Sequence, residues 1–208
     1  MHYPPIHHQE KNFNNIVQLM QMYPLAMINS CMNNEIESTH TPLVYQPNEQ
    51  LGVLIGHIDK YNPQLEHFKN NTAVQIIFNG PQVYISPSVY STTQLPTWNY
   101  FKAHLKGTLI LENDREKVKQ SLINMTAFLE GDQPKYSLEP DNPRMEAALD
   151  YIVGFRIEIN SWEGKYKISQ DKKKEDRERA KVAMQTARTN TEKEVALLYS
   201  MHRTKKKQ

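Results

Sequence analysis

Residues 73–112 read AVQIIFNGPQVYISPSVYSTTQLPTWNYFKAHLKGTLILE. Within them, residues 73–79, 83–86 and 101–112 are rich in the β-branched and aromatic side chains that suit a pleated, half-buried surface. Gly80-Pro81 separates the first two stretches with turn chemistry. The same texture runs upstream through residues 25–30, 35–45 and 53–58, with Asn33-Asn34 as a further turn signal. Many short strands at close spacing predict a barrel or sandwich rather than βαβ units.

Helical patterns flank this block. Phe13, Ile16, Val17 and Met20 fall at i, i+3, i+4 and i+7, which predicts one apolar helix face over residues 12–22, stopped by Pro24. Asn62-Pro63 places a capping side chain before a proline at the first helical position, with Leu65 and Phe68 facing one way. Asp114 caps a longer helix whose stripe is Val118, Leu122, Met125 and Leu129, ending at Gly131. Pro134, Pro140 and Pro143 mark a loop, and Met145, Ala148, Leu149 and Ile152 predict another helix. Residues 155–160 alternate as a strand should, and Glu163-Gly164 is read as a turn into residues 165–169. Beyond Gln170 there is no glycine or proline. Thr191 with Glu194 forms a capping-box pattern, so two helices in tandem are expected, with Val195, Leu198 and Tyr199 available for docking. The chain is accordingly divided into a domain over 1–170 and a charged helical C-terminal extension over 171–208.

The bulk properties bound the function. The 208 residues suit one domain with an appendage, and 38% hydrophobic residues suffice for a core. No apolar run approaches the roughly 20 residues of a membrane span. The start, MHYPPIHHQEKN, lacks the apolar core of a signal peptide, so a cytoplasmic protein without membrane attachment is expected. Cys31 is the single cysteine, which excludes an intrachain disulfide and a cysteine metal cluster. Net charge is +2, with much of the basic excess beyond residue 164. Such a tail is either a polyanion contact or a solvated helix end.

Searches for GxGxxG, Walker, HExxH and GxSxG patterns are negative. No two of the eight histidines pair at metal-ligand spacing on a helix, and no helix-turn-helix is visible, so neither a metal nor a reading element is expected. Three segments carry polar and aromatic residues where a core strand would be apolar. The first is Gly56-His57-Ile58-Asp59-Lys60-Tyr61-Asn62-Pro63-Gln64. A helix start with its unpaired N–H groups, beside Lys60, suits a phosphate; it equally describes an ordinary capped helix. The second holds Tyr84, Ser86, Ser88, Tyr90 and then Leu95-Pro-Thr-Trp-Asn-Tyr100, a rigid polar-aromatic wall for a planar ligand or an interface patch. The third is Trp162-Glu-Gly-Lys-Tyr-Lys-Ile-Ser-Gln170, where Lys165, Lys167 and Ser169 alternate toward one face, to meet a phosphate or water.

With PLAMIN, GHIDKYNPQ, NGPQVYISPSVY, LPTWNY, HLKG, YIVGF and WEGKYKISQ in this order, the chain resembles the PaiB-type FMN-binding negative transcriptional regulators over roughly residues 1–180. That family looks like a branch of the FMN-binding split-barrel superfamily. The resemblance implies a mainly-β fold with flanking helices, a six-stranded Greek-key split β-barrel, and a homodimer holding FMN in clefts formed by both subunits. It implies that residues 1–170 are the FMN-binding split-barrel domain. Two positions depart from the pattern: Val89 stands where a tryptophan is usual, and Asp171 where an asparagine is usual. These bear on FMN affinity rather than on fold.

FMN needs apolar walls, hydrogen bonds along the polar ring edge, and cations or N–H groups at its phosphate. Within the resemblance, Lys60, Asn62 and nearby His57 are assigned to the phosphate. Asn99 and Tyr100 are assigned to the ring edge or ribityl chain, and Thr97 and Trp98 to the wall. Lys167 and Gln170 would come from the partner subunit, and Ser86 and Ser88 are further contacts. No nucleophile–base pair is visible, so no catalytic residue is assigned. Two functions stay open: a flavin-dependent regulatory or sensing protein, and a small flavin oxidoreductase using NAD(P)H or flavin with only indirect effects on transcription. Any DNA contact is expected to be weak and sequence-independent.

Overall fold

The computed structural model describes residues 4–69 and 71–187. In chain order the elements are β1 (Gln9–Glu10), α1 (Phe13–Met22), β2 (Leu25–Met32), β3 (Glu35–Pro42), β4 (Val44–Gln46), β5 (Val53–Asp59), β6 (Thr72–Ile85) and β7 (Thr97–Glu112). Then come α2 (Arg115–Glu130), α3 (Pro143–Ala148), β8 (Ile152–Lys167) and α4 (Lys174–Thr186). The fold is mainly β with flanking helices. Among the described residues eight strands join one sheet in the order β3-β2-β6-β7-β8-β5-β4, with β1 added to β8. The path is open, but its ends approach: the Thr41 hydroxyl of β3 donates to the His57 carbonyl of β5 at 3.0 Å.

Two breaks expected to be turns are strand interior. Gly80 and Pro81 lie inside β6, and β2 pairs only with Gln75–Ile77 of that strand. Pro81 thus falls past the β2 ladder, where its missing N–H costs no bond to that neighbour. Gly164 lies inside β8, where a Cβ would come within 2.6 Å of Ile16 Cδ1 and 2.8 Å of Glu10 Cβ. The glycine there allows close packing of α1 and β1, not a reversal. Other predicted elements shift in type. The helix after Asn62 is a single 3-10 turn, Pro63–Glu66. The helix expected through Ile152 ends as a 3-10 turn at Leu149–Tyr151, and Ile152 opens β8. On α2, Asp114 accepts from the Glu116 and Lys117 N–H groups as expected, with Val118 and Met125 buried, while Leu129 is 52% exposed.

The chain divides into two compact units: residues 1–81 with 100–166, and residues 82–99 with 167 onward. The first contains the main core. Ile28, Ile76, Phe78, Leu105, Leu109 and Ile157 are all fully buried, together with Ile16 of α1. Alternation puts them there: Val74, Ile76 and Phe78 point inward between exposed Ala73, Gln75 and Asn79. Within the second unit, Ile85, Tyr90 and Ala180 form a small core with Val83, Val89 and Ala183 against it. The start of the charged extension is therefore packed through α4. The Thr191 capping box, Val195, Leu198, Tyr199 and the basic tail lie outside the described residues.

Candidate functional site

The eleven sequence-predicted site residues divide between the units. His57, Lys60, Asn62 and Tyr100 belong to the first; Ser86, Ser88, Thr97, Trp98, Asn99, Lys167 and Gln170 belong to the second.

In the first unit β5 runs out at Asp59, and Asn62 caps the following 3-10 turn. Its Oδ1 accepts from the Gln64 N–H at 2.9 Å and its Nδ2 donates to Thr39 Oγ1 at 2.9 Å. The expected open helix start is therefore absent, since one short turn has its leading N–H already satisfied. The Lys60 ammonium donates to the Asp150 carbonyl at 3.4 Å. Asp150 is itself paired with Arg115 at 2.6 Å, and Arg115 lies 3.5 Å from Glu146. His57 is largely buried, and loss of hydration pushes its pKa below the ordinary histidine value, favouring the neutral ring. Its Nδ1 has no hydrogen-bond partner among the described residues.

Behind the turn is a buried polar cluster that the sequence reading missed. Fully buried Gln64 donates from Nε2 to the carbonyls of Ile28 (3.1 Å) and Glu37 (2.9 Å) and to Ser30 Oγ (3.0 Å). Ser30 Oγ also lies 3.0 Å from His67 Nδ1. Gln64 thereby fastens the 3-10 turn onto β2 and β3, and its presence in the GHIDKYNPQ stretch was the available signal. Tyr100 is half-buried on β7, with the Lys165 ammonium 5.6 Å from its ring centroid, a cation–π approach.

In the second unit two aromatic rings stand together. Tyr84 and Trp98 are 50% and 53% exposed, with ring centroids 6.2 Å apart in an edge-to-face arrangement. Thr97 Oγ1 accepts from Lys167 Nζ at 2.5 Å, which fixes that cation. Asn99 is buried and turned toward the protein rather than toward the wall. Its Nδ2 donates to Ser169 Oγ at 3.0 Å, and its Oδ1 accepts from the same hydroxyl at 3.2 Å. Ser169, just past β8 with φ of 60°, also shares a 2.8 Å bond with Tyr90 Oη. Residues 90, 99 and 169 thus form a clamp that only their contact across the chain reveals. Ser86 and Ser88 share a 2.8 Å hydroxyl bond at the 3-10 turn Pro87–Val89. Gln170 Oε1 accepts from the Ile168 N–H at 2.8 Å. Val89 packs against the small core, and the Asp171 carboxylate is paired with Lys172 at 2.9 Å.

Asp176, in the first turn of α4, is buried and accepts from the Ser91 N–H at 2.6 Å and Thr92 Oγ1 at 3.2 Å. The Ser91 N–H is the main cause holding its pKa below the usual aspartate value. A depressed folded-state pKa gives stability that is present above the unfolded value, about 3.9, and is lost as pH falls through the lower folded one. Acid titration below about pH 4 is expected to release α4, read as Trp98 fluorescence. In Asp176→Asn that part of the acid response should disappear; an unchanged response would assign it to another carboxyl.

Comparison with known proteins gives three kinds of match. Residues 1–161 match the model of the family described as "Putative FMN-binding domain". The protease synthase and sporulation protein PAI 2 of Bacillus subtilis is 31% identical over 177 residues, covering 81% of this chain and 76% of that protein. An uncharacterised protein of Emericella nidulans is 27% identical over 214 residues, covering 82% and 85%. Among solved structures, the FAD and heme binding protein from Mycobacterium smegmatis superposes with a TM-score of 0.60 at 14% identity, covering 77% of this chain and 73% of that one. The flavocytochrome Anf3 from Azotobacter vinelandii gives 0.58 at 15% identity, covering 77% and 69%. At such identities the two structures show likeness of fold.

Proposed function

Since the chain belongs to the FMN-binding domain family, whose ligand is FMN, we propose that it is a homodimeric, flavin-dependent regulatory or sensing protein of the cytoplasm, a split barrel holding FMN in clefts that both subunits form. The observation that carries the reading is the half-exposed Tyr84–Trp98 pair in the same unit as the Lys167–Thr97 bond. Exposed aromatic rings and a held cation within one unit are the kinds of group that a flavin ring and an anionic tail require. The residues therefore fit the cofactor. FMN supplies one- and two-electron redox chemistry when bound. The chain's own part is to bind and orient: in the second unit Trp98 and Tyr84 offer apolar faces and Lys167 positive charge.

The regulatory half of the reading draws on the Bacillus subtilis relative, whose name links that protein to sporulation. DNA contact, through the basic tail, is expected to be weak and to fade with salt, as counterion-driven binding does.

Titration of the purified protein with FMN, followed by flavin fluorescence with light scattering on the same sample, is the test. Saturable binding by a particle of twice the chain mass is the expected result. A monomer that leaves FMN fluorescence unchanged would end this reading. Rapid NAD(P)H oxidation by the loaded protein would replace the regulatory reading with the oxidoreductase one.

A further inference from the structure

We propose that Lys102, His104 and Lys106, on the outward face of β7, form the seat of a phosphate monoester, the dianionic end of FMN, with Tyr100 next in the same row toward the flavin or its ribityl chain. This rests on the FMN reading above, and it names a group other than Lys60 for the phosphate.

The placement follows from strand geometry. Ala103, Leu105, Gly107 and Leu109 are buried, so residues 100, 102, 104 and 106 share the opposite face. Same-face neighbours stand roughly 6.8 Å apart along a strand. Long side chains at that spacing can converge on one anion between them. A row of three basic residues is otherwise a poor choice for a strand, because like charges on one face repel.

The surroundings separate this row from an ordinary solvated face. Lys102 is half-buried and its ammonium donates to Asn79 Oδ1 of β6 at 2.7 Å, which aims it. Burial pulls its pKa below the usual lysine value, the cost of holding a cation partly out of water, which a bound dianion would offset. His104, half-buried, and Lys106, exposed, make no side-chain hydrogen bond or ion pair among the described residues. Lys165, on the neighbouring strand β8, adds positive charge over the Tyr100 ring. The region around Lys60, in contrast, already holds the Asp150 and Glu146 carboxylates, which disfavour a second anion.

Lys102→Gln, Lys106→Gln and the double variant should be titrated with FMN and with riboflavin, which has the ring and no phosphate, by flavin fluorescence at fixed salt. Each single change is expected to weaken FMN about tenfold and the double about a hundredfold, the size of lost charge-assisted hydrogen bonds. Riboflavin should change less than about twofold, since the ring contacts stay. Lys106→Arg, which keeps the charge, should retain FMN, and all variants should melt with the parent protein. The proposal is overturned if FMN and riboflavin weaken together, if neither weakens, or if Lys60→Ala alone gives the phosphate-selective loss. It is also overturned if the double variant loses duplex DNA while keeping FMN, for the row would then be a phosphodiester contact. A parent protein that binds neither flavin would remove the FMN reading itself.

Discussion

Phe155→Ala is expected to lower the free energy of unfolding by about 3–5 kcal/mol, the range for deleting a fully buried phenylalanine ring. Phe155 is 1% exposed in β8, in register with Gly56 of β5, and its ring meets Phe68 edge to face at 5.5 Å. Truncation removes the transfer free energy of the ring and leaves a cavity at the junction of β5, β8 and the loop carrying Phe68. The surrounding strands cannot close it, because their spacing is set by ladder hydrogen bonds on both sides. Domains of this kind are stable by only about 5–15 kcal/mol, so about a fifth or more of the total would be lost. Urea denaturation should show a lower midpoint with an unchanged slope. A loss under about 1 kcal/mol would mean that the site collapses around the missing ring.

How much of the fold is legible in the sequence depends on whether the controlling interaction is local. α1 is readable because Asn12, Phe13, Ile16 and Met20 are set by spacing within ten residues, and Asn12 does accept from the Asn14 N–H at 3.0 Å. β5 and the first part of β6 are readable from their β-branched and aromatic content. Gly164 and Pro81 mislead when glycine and proline are taken as statements about backbone shape. Their positions are decided by what packs beside them and by which neighbour needs an N–H. The length of β6, β7 and β8 follows from pairing partners that no local pattern names.

The candidate site divides along the same line. Trp98 and Tyr84 are legible as a wall, because large aromatics among prolines and hydroxyls are unusual in a strand interior. Asn99 suggests a ligand contact because it is a polar residue in an apolar row. Its partner Ser169 is 70 residues away, and only folding shows the two amide ends spent on that hydroxyl. Lys60 belongs with a predicted helix that proves to be one 3-10 turn, since Asn-Pro marks a start but not a length. Lys102, His104 and Lys106 stand in plain view within HLKG and its approach. Residues 101–112 read as a strand from their β-branched and aromatic content, and nothing local says what the outward face would bind.

Gly107→Val is expected to destabilise the protein by about 3 kcal/mol, at the upper end of overpacking costs, and Gly107→Ala by about 1–2 kcal/mol. Replacing glycine by alanine at an ordinary backbone angle normally stabilises by about 0.4–1 kcal/mol through the unfolded chain. Gly107 belongs to the buried row of β7, and a Cβ there would meet Ile157 Cγ2 and lie 2.7 Å from the Glu158 carbonyl oxygen. The isoleucine methyl could rotate, but the carbonyl is backbone of the neighbouring strand. Relief therefore requires β7 and β8 to separate near Gly107, weakening their ladder at the centre of the sheet. That cost outweighs the gain in chain entropy, and valine's second methyl adds to it. For a chain of this size each kcal/mol moves the melting temperature by about 2–4 °C, so valine should lower it by roughly 6–12 °C. Because Lys106 is the preceding residue, separation of the strands would also move the proposed phosphate seat, and FMN affinity should fall more than riboflavin affinity in the alanine variant. A melting temperature raised by Gly107→Ala would show that the gap between the strands accommodates a methyl group, and that Gly107 is not required by packing.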